Sequence, residues 1–131
     1  MSRPDDATAD EQKRAALLRL LAPEPSERQA AHEIYAEDAV LEFPQSGERF
    51  VGRRNFLEWR TQYPSEVQFE VRRVLGGGDL WVVEVSASYD GGDPQYGVSV
   101  HEFNDDRVVR ETIYVAPGWD APAWRAPWRE A

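Results

Sequence analysis

The chain has 131 residues, 41% hydrophobic and 30% charged, the balance of one globular domain with a single core rather than of a disordered segment. A net charge of −9 argues against nucleic acid, whose phosphates need a clustered basic surface, and against an anionic membrane. There is no cysteine, which removes disulfides, thiolate catalysis and cysteine metal sites, and with only His32 and His101 no metal or other cofactor is expected.

Residues 1–7 are polar and expected to be loose. The opening stretch lacks the apolar core of a signal peptide, and no run approaches the roughly 20 apolar residues of a membrane span, so a cytoplasmic protein is the expectation. Thr8 and Glu11 form a capping-box pattern ahead of a helix whose Leu17, Leu18 and Leu21 recur at helical spacing, ended by Pro23 and Pro25. Ser26 and Gln29 repeat the pattern and open a second helix through Tyr35, with Ala30, Ile34 and Tyr35 on its buried side. "AVLEF" is a short strand closed by Pro44, followed by a turn at "QSGE" and a stub at Arg49–Val51. Gly52 leads into a third helix, "RRNFLEWRTQY", stopped by Pro64.

From there the pattern alternates. "VQFEVRRVL", "LWVVEVSASY", "QYGVSVHEF" and "RVVRETIYV" are strands joined by the short turns "GGGD", "DGGDP" and "NDD", an antiparallel meander. The tail "APGWDAPAWRAPW" carries Trp119, Trp124 and Trp128 among four prolines and is expected to pack back on the domain. Helices followed by a curved antiparallel sheet make an α+β fold, one domain over residues 1–131.

The pieces "IYAEDAVLEFPQSGERFVGRRNF" and "VHEFNDDRVVRETIYVAP" resemble the SnoaL-like group of the nuclear transport factor 2-like (cystatin-like) superfamily. The resemblance covers roughly residues 10–116 and implies a cone-shaped sheet wrapped around three N-terminal helices, with a small-molecule pocket inside. It also implies two absences. The aspartate that ketosteroid isomerases use as base, just before the first strand's proline, is Phe43 here, and their second acid is Ser99. The aspartate that limonene-type epoxide hydrolases place in the last strand is Ile113, and their Arg–x–Asp pair has no match in "WVVEVSASY".

The chemistry then turns on which faces His101 and Glu111 occupy. A two-residue turn at Asp105–Asp106 pairs His101 with Arg110 and sends Glu111 to the opposite face; it also wants left-handed backbone at both positions, which Asp-Asp suits badly. A three-residue turn, Asn104–Asp106, pairs Ser99 with Glu111 and His101 with Val109. His101 and Glu111 then become diagonal neighbours about 7–8 Å apart on one face. That register is preferred, and the resemblance agrees, since the family points its equivalents of Glu111, Ile113 and Val115 inward. His101 is then a candidate proton shuttle, Glu111 its orienting carboxylate and Ser99 a polar contact for a substrate oxygen.

Tyr35, Phe43, Phe56, Trp59, Phe69 and Tyr89 are candidate pocket lining together with Ile113 and Val115. Glu84 is expected on the outer face beside a basic residue, and His32 on the surface. Val98, Val100, Val108 and Tyr114 form an apolar stripe on the outer face, and the resemblance implies a homodimer through it. Two functions remain open. One is an acid–base isomerase, cyclase or dehydratase acting on a small hydrophobic oxygenated molecule. The other is a non-catalytic ligand-binding or dimerisation module, which becomes an assembly domain if aromatics fill the cone.

Overall fold

The computed structural model describes residues 4–130. Three helices, α1 Pro4–Arg19, α2 Pro25–Ala31 and α3 Arg53–Thr61, accompany six strands. The strands are β1 Tyr35–Phe43, β2 Glu48–Val51, β3 Val67–Gly77, β4 Leu80–Tyr89, β5 Gln95–Asn104 and β6 Arg107–Pro117. They form one curved open sheet in the order β2-β1-β6-β5-β4-β3, the α+β arrangement expected. The last four strands are the meander; β1 closes onto β6 in parallel, and β2 flanks β1 antiparallel. Among the described residues no helix is long and apolar enough to cross a membrane.

Several boundaries differ from the expectation. Helix α1 is under way from Pro4, ahead of the Thr8 cap; of the stretch expected to be loose, residues 1–3 lie outside the described residues and 4–7 are helical. Proline at the start of a helix loses no intrahelical hydrogen bond, which favours the earlier start. The same reason makes Pro25 the opening of α2, with Glu24 rather than Ser26 at the cap. Tyr35 is not on that helix. A single 3₁₀ turn, His32–Ile34, ends it, and Tyr35 begins β1 opposite Val108.

The core lies between the inner face of the sheet and the helices. Leu17 of α1 and Phe56 of α3 meet Tyr35, Leu41, Val74, Trp81, Val83, Phe103 and Val108 from the strands. Each such side chain contributes about 1.5–3 kcal/mol by leaving water. Helix α1 is tied to the β3–β4 turn by polar contacts. Arg14 Nη1 donates to Val74 O at 2.8 Å, Lys13 Nζ to Gly78 O at 2.8 Å, and Gly78 N to Asp10 Oδ1 at 3.0 Å.

One glycine in that hairpin is demanded by space. At Gly76 the backbone has φ +150, and a Cβ would stand 2.4 Å from Leu80 O and 2.8 Å from Trp81 Cα. Because both obstacles are backbone, Gly76→Ala is expected to lower stability by at least about 1 kcal/mol, seen as a reduced urea midpoint with unchanged slope.

The end of β6 is pinned by Gln45, whose Nε2 donates to Val115 O at 2.6 Å and whose Oε1 accepts from Val115 N at 2.7 Å. The tail beyond it does not pack on the domain as expected. Trp119, Trp124 and Trp128 are 78%, 73% and 78% exposed, in and beside a 3₁₀ segment, Ala123–Trp128. Prolines at 117, 122 and 127 hold it away from the regular geometry that would lay it on the sheet.

Candidate functional site

The register of the β5–β6 hairpin decides which side chains meet. Its turn is the two-residue one, Asp105–Asp106, pairing Asn104 with Arg107 and Phe103 with Val108; only Asp105 of the two takes a positive φ, +55. The next pair is Glu102 with Arg110, so Val109 is an extra residue, a β-bulge in β6. Beyond the bulge His101 stands directly opposite Glu111, and Ser99 opposite Ile113. The expected three-residue turn is thus corrected, as are the pairs Ser99–Glu111 and His101–Val109. The additional residue is there, but in the strand instead of the loop. It has the same consequence for parity: His101 and Glu111 share the inner face. It also turns Val108 inward, where it is fully buried, so Val108 leaves the outer stripe.

His101 and Glu111 are both buried, with His101 Nε2 3.2 Å from Glu111 Oε1. Glu111 has two further partners. The Tyr35 hydroxyl donates a short hydrogen bond to Oε1, and Arg60 Nη2 lies 3.7 Å from Oε2. Burial pushes the Glu111 carboxyl towards neutrality, but His101, Arg60 and Tyr35 outweigh it and hold the group well below the usual carboxylate range. Burial and the Glu111 charge push the Tyr35 hydroxyl far above its ordinary value, so it stays protonated and donates. Burial opposes the charge of Arg60, and Tyr35 and Glu111 restore it.

Arg60 and His32 complete the cluster, and neither was expected in it. The Arg60 guanidinium lies 5.5–5.9 Å from the ring centres of Phe56, Trp59 and Tyr35. Its Nη1 is 3.4 Å from the Tyr35 hydroxyl and 3.0 Å from His32 Nε2. His32, expected on the surface, is buried against Tyr35 and Phe56. Its Nδ1 lies 2.7 Å from Arg28 O, which assigns the ring hydrogen to Nδ1 and leaves Nε2 to accept from Arg60. A signal for both existed in the sequence. Arg60 is four residues from Phe56 on one helix face, and His32 is one short turn ahead of Tyr35.

Burial, reinforced by Arg60, pulls the His32 pKa down to about 4 from 6.5. Between those values the unfolded chain binds a proton that the folded one refuses, so stability declines as pH falls through that window. The full loss is about 2–3 kcal/mol after allowance for screening. About half of it is expected between pH 6.5 and 5, and His32→Gln should flatten that part of a Tm-against-pH curve measured by circular dichroism.

This cluster lines one end of a cavity of about 530 Å³ between the sheet and the helices. Of the residues expected to line it, Tyr35, Phe43, Trp59, Phe69, Tyr89, Ile113 and Val115 do, as does Ser99. Phe56 does not: it is fully buried behind the cluster, its ring 4.9 Å from that of Tyr35. The aromatics therefore do not fill the interior. Glu84 is on the outer face with Arg73 at 2.8 Å and Arg72 at 3.6 Å, both presented there by a bulge in β3. Among the described residues no three His, Asp or Glu side chains converge as metal ligands would.

Two polar atoms in this region have no hydrogen-bond partner among the described residues, His101 Nδ1 and Trp59 Nε1. With Nε2–H directed at Glu111, Nδ1 of a neutral His101 holds a lone pair that nothing satisfies. Leaving a buried acceptor unpaired costs about 1–3 kcal/mol.

Residues 6–111 match the SnoaL-like domain family. The chain is 41% identical to an NTF-2 like protein of unknown function from Burkholderia xenovorans LB400, over 92% of this chain and 95% of that one, with a TM-score of 0.84. It is 28% identical to a putative ketosteroid isomerase from Kribbella flavida DSM 17836, covering 93% and 90% of the two chains at a TM-score of 0.79. A putative SnoaL-like polyketide cyclase from Jannaschia sp. CCS1 shares the fold at 15% identity and a TM-score of 0.69, over 88% and 90% of the chains. No curated protein matches the sequence.

Proposed function

The chain belongs to the SnoaL-like domain family, and on that footing we propose that it is a cofactor-independent acid–base enzyme acting on a small hydrophobic ketone or hydroxyketone. The observation that supports this reading is the His101–Glu111 pair, 3.2 Å apart in the lining of a mostly apolar cavity. His101 is the proton carrier. Its imidazole ring, which lines the cavity, takes a proton from the carbon beside the substrate carbonyl, the electron pair moves into an enolate, and the same ring returns the proton to a different carbon. Glu111, kept ionised by Arg60 and Tyr35, does not move the proton itself; it fixes the tautomer and stabilises the imidazolium. Arg60 lines the same cavity and supplies positive charge near a developing oxyanion.

The similarity to a putative ketosteroid isomerase supports the reaction type but not the residues. The carboxylate bases expected of such enzymes are Phe43 and Ser99 here, so a histidine has to carry the proton. A binding-only reading draws on one observation: Glu111 is saturated by three partners and is a poor base.

The test is deuterium uptake by 1-tetralone from D2O, followed by proton NMR. The protein is expected to exceed an equal concentration of free imidazole by roughly 10²-fold or more. Uptake no faster than imidazole, with the protein still stabilised thermally by the ketone, would establish the binding module instead.

A further inference from the structure

Residues 118–130 leave the end of β6 as an arm that the cavity does not use. The arm is ordered by its own means. Pro122 and Pro127 fix their φ angles, and hydrogen bonds from Arg125 N to Pro122 O (3.2 Å) and Arg129 N to Ala126 O (3.3 Å) close its turns. Yet all three of its tryptophans are more than seven-tenths exposed. A stiffened strap that presents tryptophans to water is preorganised for association, because little conformational freedom remains to be lost on docking.

The outer face of the sheet offers a complementary surface. A groove of about 820 Å³ crosses β3, β4 and β5, bordered by Glu70, Arg72, Pro94, Tyr96 and Val98. The arm starts at its rim: a Cβ on Gly118 would lie 3.2 Å from Tyr96 Cε2. From that root the arm carries its tryptophans away from its own groove, and Tyr96, Val98 and Tyr114 stay exposed. Three tryptophans at that exposure, with half of each tyrosine, present on the order of 600–800 Å². That is about one partner's share of a stable interface, ~800 Å².

Charge favours a second copy as the occupant. On a chain of net charge −9, residues 118–130 hold Arg125 and Arg129 against Asp120 and Glu130 and are neutral, so an acidic twin does not repel this segment. In the groove wall Glu84 is taken by Arg72 and Arg73, whereas the Glu70 carboxylate has no ion pair or hydrogen bond among the described residues. It is an acid left over for an arm arginine.

We propose that the arm is an exchanged docking element. In a two-fold pair each copy lays Trp119, Trp124 and Trp128 along the outer-face groove of the other, with Arg125 meeting Glu70 across the contact. Each contact is then made twice. The inference is independent of the cavity chemistry above.

Sedimentation of the full chain at micromolar concentrations tests it. The wild type is expected to be a dimer whose tryptophan emission shifts to the red on dilution. The triple change Trp119→Ser, Trp124→Ser, Trp128→Ser should raise the dimer Kd by about 100-fold or more with an unaltered circular dichroism spectrum. Glu70→Arg should weaken the dimer by about tenfold, and Glu70→Arg combined with Arg125→Glu should restore it. A monomeric wild type would overturn the proposal. So would a triple variant that dimerises like the wild type, since the sheet faces would then associate without the arm, or a charge reversal that restores nothing.

Discussion

His101→Gln is expected to slow deuterium exchange into 1-tetralone by roughly 10²–10⁴-fold, the usual worth of one positioned proton carrier. Glutamine is the informative replacement. It keeps an N–H donor for Glu111, so the carboxylate is not left with a lost partner and the fold should survive. What it lacks is a nitrogen lone pair able to take a proton. The expected signature is a reduced exchange rate with little change in the thermal shift produced by the ketone, because binding rests on the aromatic wall formed by Phe43, Trp59 and Phe69. An unchanged rate would remove His101 from the chemistry and reduce the pair to a satisfied polar contact inside the core. Parallel losses of rate and ketone binding would instead make His101 a binding residue.

His101 and Glu111 share a face as the sequence implies, but by a different register, and the reason is physical. Alternation along β5 and β6 is legible, because Phe103, His101 and Ser99 must share a face whatever the turn does. Relative parity of two strands is not, since it depends on where one residue is inserted. Turn chemistry favoured a three-residue loop for Asn104–Asp106. The chain makes a two-residue loop with Asp105 at φ +55 and places the extra residue at Val109. A bulge leaves no local composition signal at one of two successive valines, so its position is not legible in the sequence. Burial of Arg60 and His32 is signalled only by their spacing from Phe56 and Tyr35, a weak cue for a related reason. Polar residues default to solvent unless something buried needs them, and what needs them is Glu111, half a chain away in sequence and brought near only by the parallel pairing of β1 with β6. The tail failed differently. Apolar surface seeks cover, which favours packing of the tail on its own domain, but hydropathy does not separate a lid on the cavity from a dimer contact.

Glu111→Ala is expected to cost about 3–5 kcal/mol of stability at pH 7, measured by urea unfolding, which would leave a marginal domain largely unfolded near physiological temperature. Three donors converge on that carboxylate, and only Arg60 retains appreciable exposure, 23% of its side chain. Removing the acceptor leaves a guanidinium charge, a tyrosine hydroxyl and an imidazole N–H without their common partner, and the penalty comes mostly from these stranded groups. It follows that Arg60→Met together with Glu111→Leu, which removes both charges while keeping volume, should recover a substantial part of the loss although it restores no ion pair. The pH dependence separates this acid from His32. Because Glu111 is depressed below its ordinary 4.5, its contribution is complete above that value and is lost only as pH falls below it. Wild type and Glu111→Ala should therefore stay a constant interval apart from pH 7 to 5, both sinking together as His32 approaches protonation, and converge only in stronger acid. An interval that closed already between pH 7 and 5 would mean that Glu111 is protonated in the folded protein at near-neutral pH. That would contradict a cluster in which Arg60, Tyr35 and His101 all hold it ionised.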